Sequence, residues 1–218
     1  PCCSGRARRP PRPVPAPEIV NDFDEHTWVV LHDIRLRGMV RVPDDAELMV
    51  VIDSLCEAGV VQVRGKFVAL TDLGRTHHAN WVVATPGTDA HTSAERLHAS
   101  FHELNVELLA VCTAWQVRPG GATNDHLDAT YDWQVIGRLE RLHERAAPRI
   151  RRVGREVPRF ADHERRLRHA LARVVDDGEH EWFTAPRVDS YHTVWNQMHE
   201  DLLLTLGRSR DDEPTPGT

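Results

Sequence analysis

Residues 44–81 constrain the fold of this chain more than any other stretch. Residues 45–58 form an amphipathic helical run, and Gly59 follows it, as glycine commonly does at the C-terminus of a helix. Two β-rich runs come next, residues 60–64 and 66–71, and the single glycine between them is the signal of a tight hairpin. A further helix begins where the second run ends. The sequence therefore predicts a helix, a hairpin and a helix in that order.

This order resembles the second half of a winged helix-turn-helix domain of the MarR type. In that family a helix is followed by a glycine, an apolar pair, two short strands and the motif Leu-Thr-x-x-Gly-Arg, which stands here at residues 70–75. The resemblance implies a winged helix-turn-helix-like domain over residues 18–84. It also implies duplex DNA as a partner, with Arg41, Arg64 and Lys66 as the DNA-binding residues.

Two features of this region depart from the family pattern. Only 20 residues separate Gly38 from Gly59, too few for two complete helices, so the first helix of the helix-turn-helix pair is predicted to be shortened or missing. The remaining helix, residues 44–58, carries five acids and no Lys or Arg. Because DNA presents a dense row of phosphates, we expect this helix to bind duplex DNA weakly or not at all.

Outside this region the sequence predicts two tails and a helical bundle. Residues 1–17 hold six prolines and four arginines without an apolar period, which indicates a flexible Pro/Arg-rich tail. Beyond a linker at residues 85–89, four amphipathic runs predict a helical bundle domain over residues 90–207, followed by a flexible tail at residues 208–218. The predicted fold class is mainly α, with an N-terminal winged helix that includes a two-stranded β-hairpin.

Local signals also predict where the bundle helices begin and end. The second is expected to be capped by Asn124 or Asp125 and to end near Pro148, since proline removes a backbone donor. The last is expected to start at Asp189 or Ser190.

Charge is segregated along the bundle. Residues 138–173 hold twelve arginines and five acids, whereas residues 176–201 hold seven acids and one arginine. Blocks of opposite sign are expected to pair across neighbouring helices or between subunits. The alternative for the arginines of residues 149–155 is that they bind a phosphorylated molecule or nucleic acid.

Five residues are candidates for an apolar ligand pocket with a few polar anchors: Asn105, Tyr131, His192, Trp195 and Asn196. Such a pocket would take a small-molecule effector. The alternative is that the aromatic residues of this group fill the core of the bundle.

Fourteen histidines raise the question of a metal site. His192 and His199 are two turns apart on one predicted helix face, and His126 precedes Asp128 and Asp132. A winged helix followed by a histidine-containing helical domain is also similar to GntR-type regulators with a metal-binding effector domain. The alternative is surface or hydrogen-bonded histidines. No cofactor is predicted, since the sequence has no phosphate loop, dinucleotide fingerprint or paired-cysteine motif.

We therefore expect a winged-helix transcriptional-regulator-like protein whose helical domain forms a homodimer or senses a ligand. The alternative is an accessory or protein-interaction module that does not bind DNA. The layout of the chain resembles helix-turn-helix tails that accompany phosphoenolpyruvate-utilising enzymes, and on this alternative the chain would be the C-terminal part of such an enzyme. An enzyme with a histidine–carboxylate site is the third hypothesis and the least favoured. A cytoplasmic protein is expected, because Cys56 and Cys112 each stand singly on predicted helices, which fits a reducing compartment, and no apolar run is long enough to span a membrane. One lysine against 26 arginines most simply indicates a GC-rich bacterial genome.

Overall fold

The computed structural model describes residues 23–213, so the tail predicted at residues 1–17 and the last part of the predicted C-terminal tail lie outside the described residues. The described part is mainly helical and contains a small antiparallel sheet. Its elements are α1 Glu25–Arg37, β1 Val40–Arg41, α2 Ala46–Glu57, β2 Val61–Arg64, β3 Phe67–Leu70, α3 Asp72–Val82, α4 Asp89–Gln116, α5 Ala129–Gly154, α6 Pro158–Val175, α7 Glu181–Thr184 and α8 Tyr191–Thr205, with a 3₁₀ turn at Arg210–Asp212.

The first core is formed by α1, α2 and the sheet, and α3 packs against it through Leu73. The strand order is β1-β3-β2, and both pairings are antiparallel. The predicted hairpin is present, with Gly65 in its turn at φ 61°. The third strand, β1, pairs Val40 with Val68. Leu31, Ile34 and Leu55 pack against the covered face of this sheet and are almost fully buried.

The Thr-x-x-Gly part of the motif at residues 70–75 has a steric explanation. The Thr71 side chain caps α3 by accepting a hydrogen bond from Gly74 N at 3.0 Å, and it donates to the Gly59 carbonyl at 2.7 Å. A Cβ atom on Gly74 would lie 1.9 Å from the Val60 carbonyl oxygen. Only glycine therefore lets α3 approach the end of β2 this closely.

A single helix, α2, lies between β1 and β2, where every residue is described. The prediction that one helix of the helix-turn-helix pair is missing or shortened agrees with this. The connection from Arg41 to Ala46 is too short to hold another helical element. The winged-helix arrangement as a whole stays a prediction.

The second core is built by the long helices α4, α5, α6 and α8, with the short helix α7 beside them. Helix α5 differs from its predicted bounds at both ends. It begins after Asp128, whose side chain accepts from Tyr131 N, and it passes Pro148 to end at Gly154. Burial of the apolar side chains beyond the proline, including Ile150 and Val153, outweighs the one hydrogen bond that the proline removes.

The segregated charges pair within the chain. Arg159 and Arg166 on α6 reach Asp201 and Asp189 at 2.7 and 2.9 Å, and Arg173 also pairs with nearby acids. Residues 208–213 add further pairs to the bundle, including Arg208 with Glu95. Over residues 23–213, no helix combines the length and the apolar character that crossing a membrane requires.

Candidate functional site at the junction of the two cores

Four titratable side chains meet where α1 and α3 pack against the bundle. They are His32 on α1, His78 on α3, His163 on α6 and Asp201 on α8, and each is at most 7% exposed. They come from both cores. We call this group the junction cluster.

Asp201 is the centre of the junction cluster. Its Oδ2 atom lies 3.0 Å from His163 Nε2 and 3.3 Å from His32 Nε2, and its Oδ1 atom accepts from Arg159 Nε at 2.7 Å. Burial by itself would raise the pKa of this carboxyl, but the Arg159 charge, with smaller contributions from the two histidines, holds the pKa well below its usual range. Asp201 is therefore an ionised carboxylate in a fully buried position.

The two histidines from the first core face each other. His32 Nδ1 and His78 Nε2 are 2.8 Å apart, and the rings stack with their centroids 5.1 Å apart. Burial, reinforced by the nearby charges of His32 and Arg35, lowers the pKa of His78 from 6.5 to about 3. His78 is therefore neutral, and one proton lies between the two nitrogens.

Arg159 fixes the cluster to the linker after α3. Its guanidinium donates to Thr205 Oγ1 at 2.6 Å and to the Val82 carbonyl at 3.3 Å. The Thr205 carbonyl in turn accepts from Ala84 N at 2.8 Å. The charged network thus spans the boundary between the cores and restricts how they sit against each other.

A cavity of about 320 Å³ borders the junction cluster. His32, His163 and Arg159 form its polar side, while the apolar side chains include Val29, Leu36 and Trp81. The complete lining comes from three helices: Glu25, Val29, His32, Asp33 and Leu36 on α1, Trp81 on α3, and Pro158, Arg159, Asp162, His163 and Arg166 on α6. An apolar cavity with a few convergent polar groups is the usual form of a small-molecule site.

The residues predicted to bind DNA lie together at one end of the sheet. Arg41 and Arg64 are both paired with Phe67 across the three strands, and Lys66 occupies the hairpin turn. We call Arg41, Arg64 and Lys66 the wing cations; all three are exposed.

The exposed face of α2 has the opposite character. Glu47, Asp53 and Glu57 recur along it with Val50, which is 70% exposed. None of these acids forms an ion pair with another described residue. The face is therefore acidic, and its charges are unpaired among residues 23–213.

The five residues predicted to line a pocket lie in different places. His192 and Asn196 border a cleft of about 680 Å³ at the end of α1, whose lining is about equally polar and apolar and includes no residue of the junction cluster. Trp195 is 1% exposed and donates from Nε1 to Asn105 Oδ1 at 3.0 Å, inside the bundle. Tyr131 donates to the Ala114 carbonyl at 2.8 Å near the start of α5.

The three histidines predicted as metal ligands also lie in different contacts, not in one group. His126, the one non-glycine described residue with positive φ, lies near Asp132 and His180, and the donor atoms of these three residues are within 4.8 Å of one another. His199 contacts Glu213 at 2.8 Å. Neither His199 nor His192 belongs to a group of three metal-ligating side chains among the described residues.

The junction cluster was not predicted from the sequence. One usable signal was Asp201, an acid placed between the apolar residues Met198 and Leu202 on α8, because an acid on a buried helix face requires a partner. A second was His32, next to Leu31 on the buried side of α1.

Comparisons with known proteins return no relative: no protein-family model matches the chain, and neither the curated proteins nor the solved structures contain a match.

Proposed function

We propose that this protein is a ligand-responsive regulatory module in which the junction cavity binds a small molecule and the N-terminal helix–sheet unit carries the response. The supporting observation is that the cavity is shared between the two cores. Helices α1 and α3 form one side of it and α6 forms the other. A ligand in this position contacts both cores, so its binding energy depends on how they are placed.

The junction cluster supports the same proposal. A buried ionised carboxylate with several partners is expensive to desolvate, and an apolar replacement of the same volume often gives equal or greater stability. Strongly perturbed pKa values beside a cavity are typical of functional sites. Asp201 and His78 both have such values, and their partners His32 and His163 border the cavity.

Two kinds of macromolecule are candidates for the partner that the N-terminal unit contacts: a nucleic acid and a protein. The wing cations favour a nucleic-acid contact of low specificity, as the resemblance to winged-helix regulators implies. The acidic, unpaired face of α2 and the single helix between β1 and β2 favour a protein partner with a basic segment. We favour the protein partner, because the helix that should enter the major groove has no basic residue.

The ligand site is tested with three aromatic probes that differ in charge: benzoate, phenol and benzylamine. Trp81 borders the cavity and stacks on Trp28 with centroids 4.9 Å apart, so a bound probe should change tryptophan fluorescence and raise the melting temperature. Val29→Phe places a ring at the mouth of the cavity and should weaken the response. Val50→Phe, at another exposed helix position, should leave it unchanged.

Two results would contradict the proposal. One is the absence of any response in the unmodified chain to all three probes at millimolar concentration. The other is a response that Val29→Phe and Val50→Phe leave equally intact, because the probe would then bind elsewhere.

A further inference from the structure

Two groups of three metal-ligating side chains occur among the described residues. One is His32, His163 and Asp201, which are all buried; the other is His126, Asp132 and His180, of which His180 is exposed. The buried group differs in a second respect, because two of its members border a cavity.

The donor atoms of the buried group are already spaced for a small cation. The two histidine Nε2 atoms lie 3.0 and 3.3 Å from Asp201 Oδ2, and all three donors are within 4.8 Å of one another. Ligands about 2.0–2.1 Å from a tetrahedral zinc ion are separated from each other by roughly 3.3 Å. Small outward movements of the side chains would therefore admit an ion between them.

The groups around these donors hold them in the orientation that a metal requires. His32 Nδ1 lies 2.8 Å from His78 Nε2, and a hydrogen bond donated by Nδ1 to that nitrogen leaves His32 Nε2 able to bind an ion beside the Asp201 carboxylate. Two acceptor atoms at 3.3 Å repel each other unless a proton or a cation lies between them. Arg159 occupies Asp201 Oδ1, so that Oδ2 is the oxygen that faces both rings.

The set of three donors leaves one coordination position open. His32 and His163 border the cavity and Asp201 does not, so a fourth ligand would approach from the cavity side. Three protein ligands with an open fourth position are typical of catalytic zinc sites, in contrast to closed structural ones. Two imidazoles select a first-row transition metal over calcium or magnesium, which prefer oxygen ligands.

We propose that His32, His163 and Asp201 form a site for a divalent first-row transition metal, with zinc as the reference ion and the fourth position open to the junction cavity. The inference deepens the proposed function and rests on it, since the metal would be one ligand of the same site. An ion here links α1 to α6 and α8, and therefore joins the first core to the bundle.

The test uses the full chain without a polyhistidine tag, stripped with a chelator that is then removed by dialysis. Calorimetric titration with Zn²⁺ should give one equivalent per chain, and Co²⁺ should give the intense visible absorption of a low-coordinate site. His163→Ala removes a ligand and should weaken Zn²⁺ binding by at least 100-fold. Asp201→Asn nearly preserves the side-chain shape but removes the anionic ligand, and it should also weaken binding.

His126→Ala is the matched control, because it removes a ligand from the other group. Binding that survives His126→Ala supports the proposal even if His163→Ala and Asp201→Asn fail to fold, since the buried group is then the only group of three metal-ligating side chains left intact over residues 23–213. The proposal is overturned if the unmodified chain binds no Zn²⁺ at micromolar concentration. It is equally overturned if binding survives in folded His163→Ala and is lost in His126→Ala.

The aromatic probes separate this inference from the proposed function. Zn²⁺ binding without any response to the probes, measured with and without Zn²⁺, would remove the proposed ligand site and leave the metal site in place. A probe response that is the same with and without added Zn²⁺, together with no bound Zn²⁺ equivalent, would remove the metal site and leave the proposed ligand site in place.

Discussion

Acid should destabilise this protein through His78 in particular. The side chain is fully buried on α3, and the pKa of its imidazole is lowered from 6.5 to about 3, mainly by burial and then by the positive charges around it. In mild acid the His78 imidazole therefore stays unprotonated in the native state, whereas it binds a proton in the unfolded chain. The perturbation we consider is His78→Phe, which keeps a ring in the site and removes the titration.

The sign follows from proton binding in the two states. Because the pKa is lower in the folded protein, the contribution of neutral His78 is fully present above pH 6.5 and is lost as the pH falls from 6.5 towards 3. Each pH unit within this window is worth about 1.36 kcal/mol. At pH 4.5 the loss is roughly 2–3 kcal/mol, a large fraction of the roughly 5–15 kcal/mol typical of a folded domain.

Urea unfolding followed by circular dichroism, with a chelator present, measures this effect at pH 7 and pH 4.5. At pH 7 the variant should be less stable by about 1–3 kcal/mol, because His32 Nδ1 loses its partner. Between the two pH values, the variant should lose roughly 2–3 kcal/mol less than the unmodified chain. His26→Phe, at an exposed position on α1, should behave as the unmodified chain does. Equal losses in the unmodified chain and in His78→Phe would refute the argument.

Three further predictions concern packing, DNA and assembly. Gly74→Ala should lower the free energy of unfolding in urea by about 2–3 kcal/mol, because the new Cβ atom clashes with the Val60 carbonyl. Gly137→Ala, inside α5 with room for a Cβ atom, should raise this free energy by about 0.5–1 kcal/mol. Similar effects of the two substitutions would contradict the steric explanation. Replacing the three wing cations by glutamine should reduce the slope of log K against log salt for duplex DNA by up to about 3, measured in a fluorescence anisotropy titration. Sequence-selective DNA binding that survives this replacement at physiological salt would contradict the weak-binding prediction. The predicted homodimer should appear in sedimentation velocity at tens of micromolar and weaken in Trp133→Ser, a 55% exposed residue on α5; a strict monomer would exclude it.

The local sequence determined the elements. The spacing of apolar residues identified α2 and the four long bundle helices, and the hairpin followed from two β-rich runs joined at one glycine. Capping residues at helix starts, such as Asp24 and Ser190, act through their own backbone neighbours. These signals involve contacts between residues a few positions apart, which is why a single sequence is sufficient to read them.

Tertiary packing, which opposes the local sequence signals, explains why the predicted start and end of α5 were both wrong. Pro148 and Asn124 are valid local signals for a helix end and a cap. The buried apolar residues beyond Pro148 outweigh the first, and Asn124 instead donates to Asp132 and to the Trp115 carbonyl inside the bundle. Local preferences of about one kcal/mol for a cap and about three for a proline are overridden where burial contributes more.

The candidate site depended on the tertiary structure alone. His32 and His78 are 46 positions apart, and Asp201 follows His163 by 38. No spacing rule connects residues on four different helices, because their distances depend on how two separately formed cores dock. The sequence determined that Asp201 needs a partner, since an ionised acid on a buried face is costly without one. Only the docking of α1 and α3 against α6 and α8 decided that the partners are Arg159 and two histidines beside a cavity.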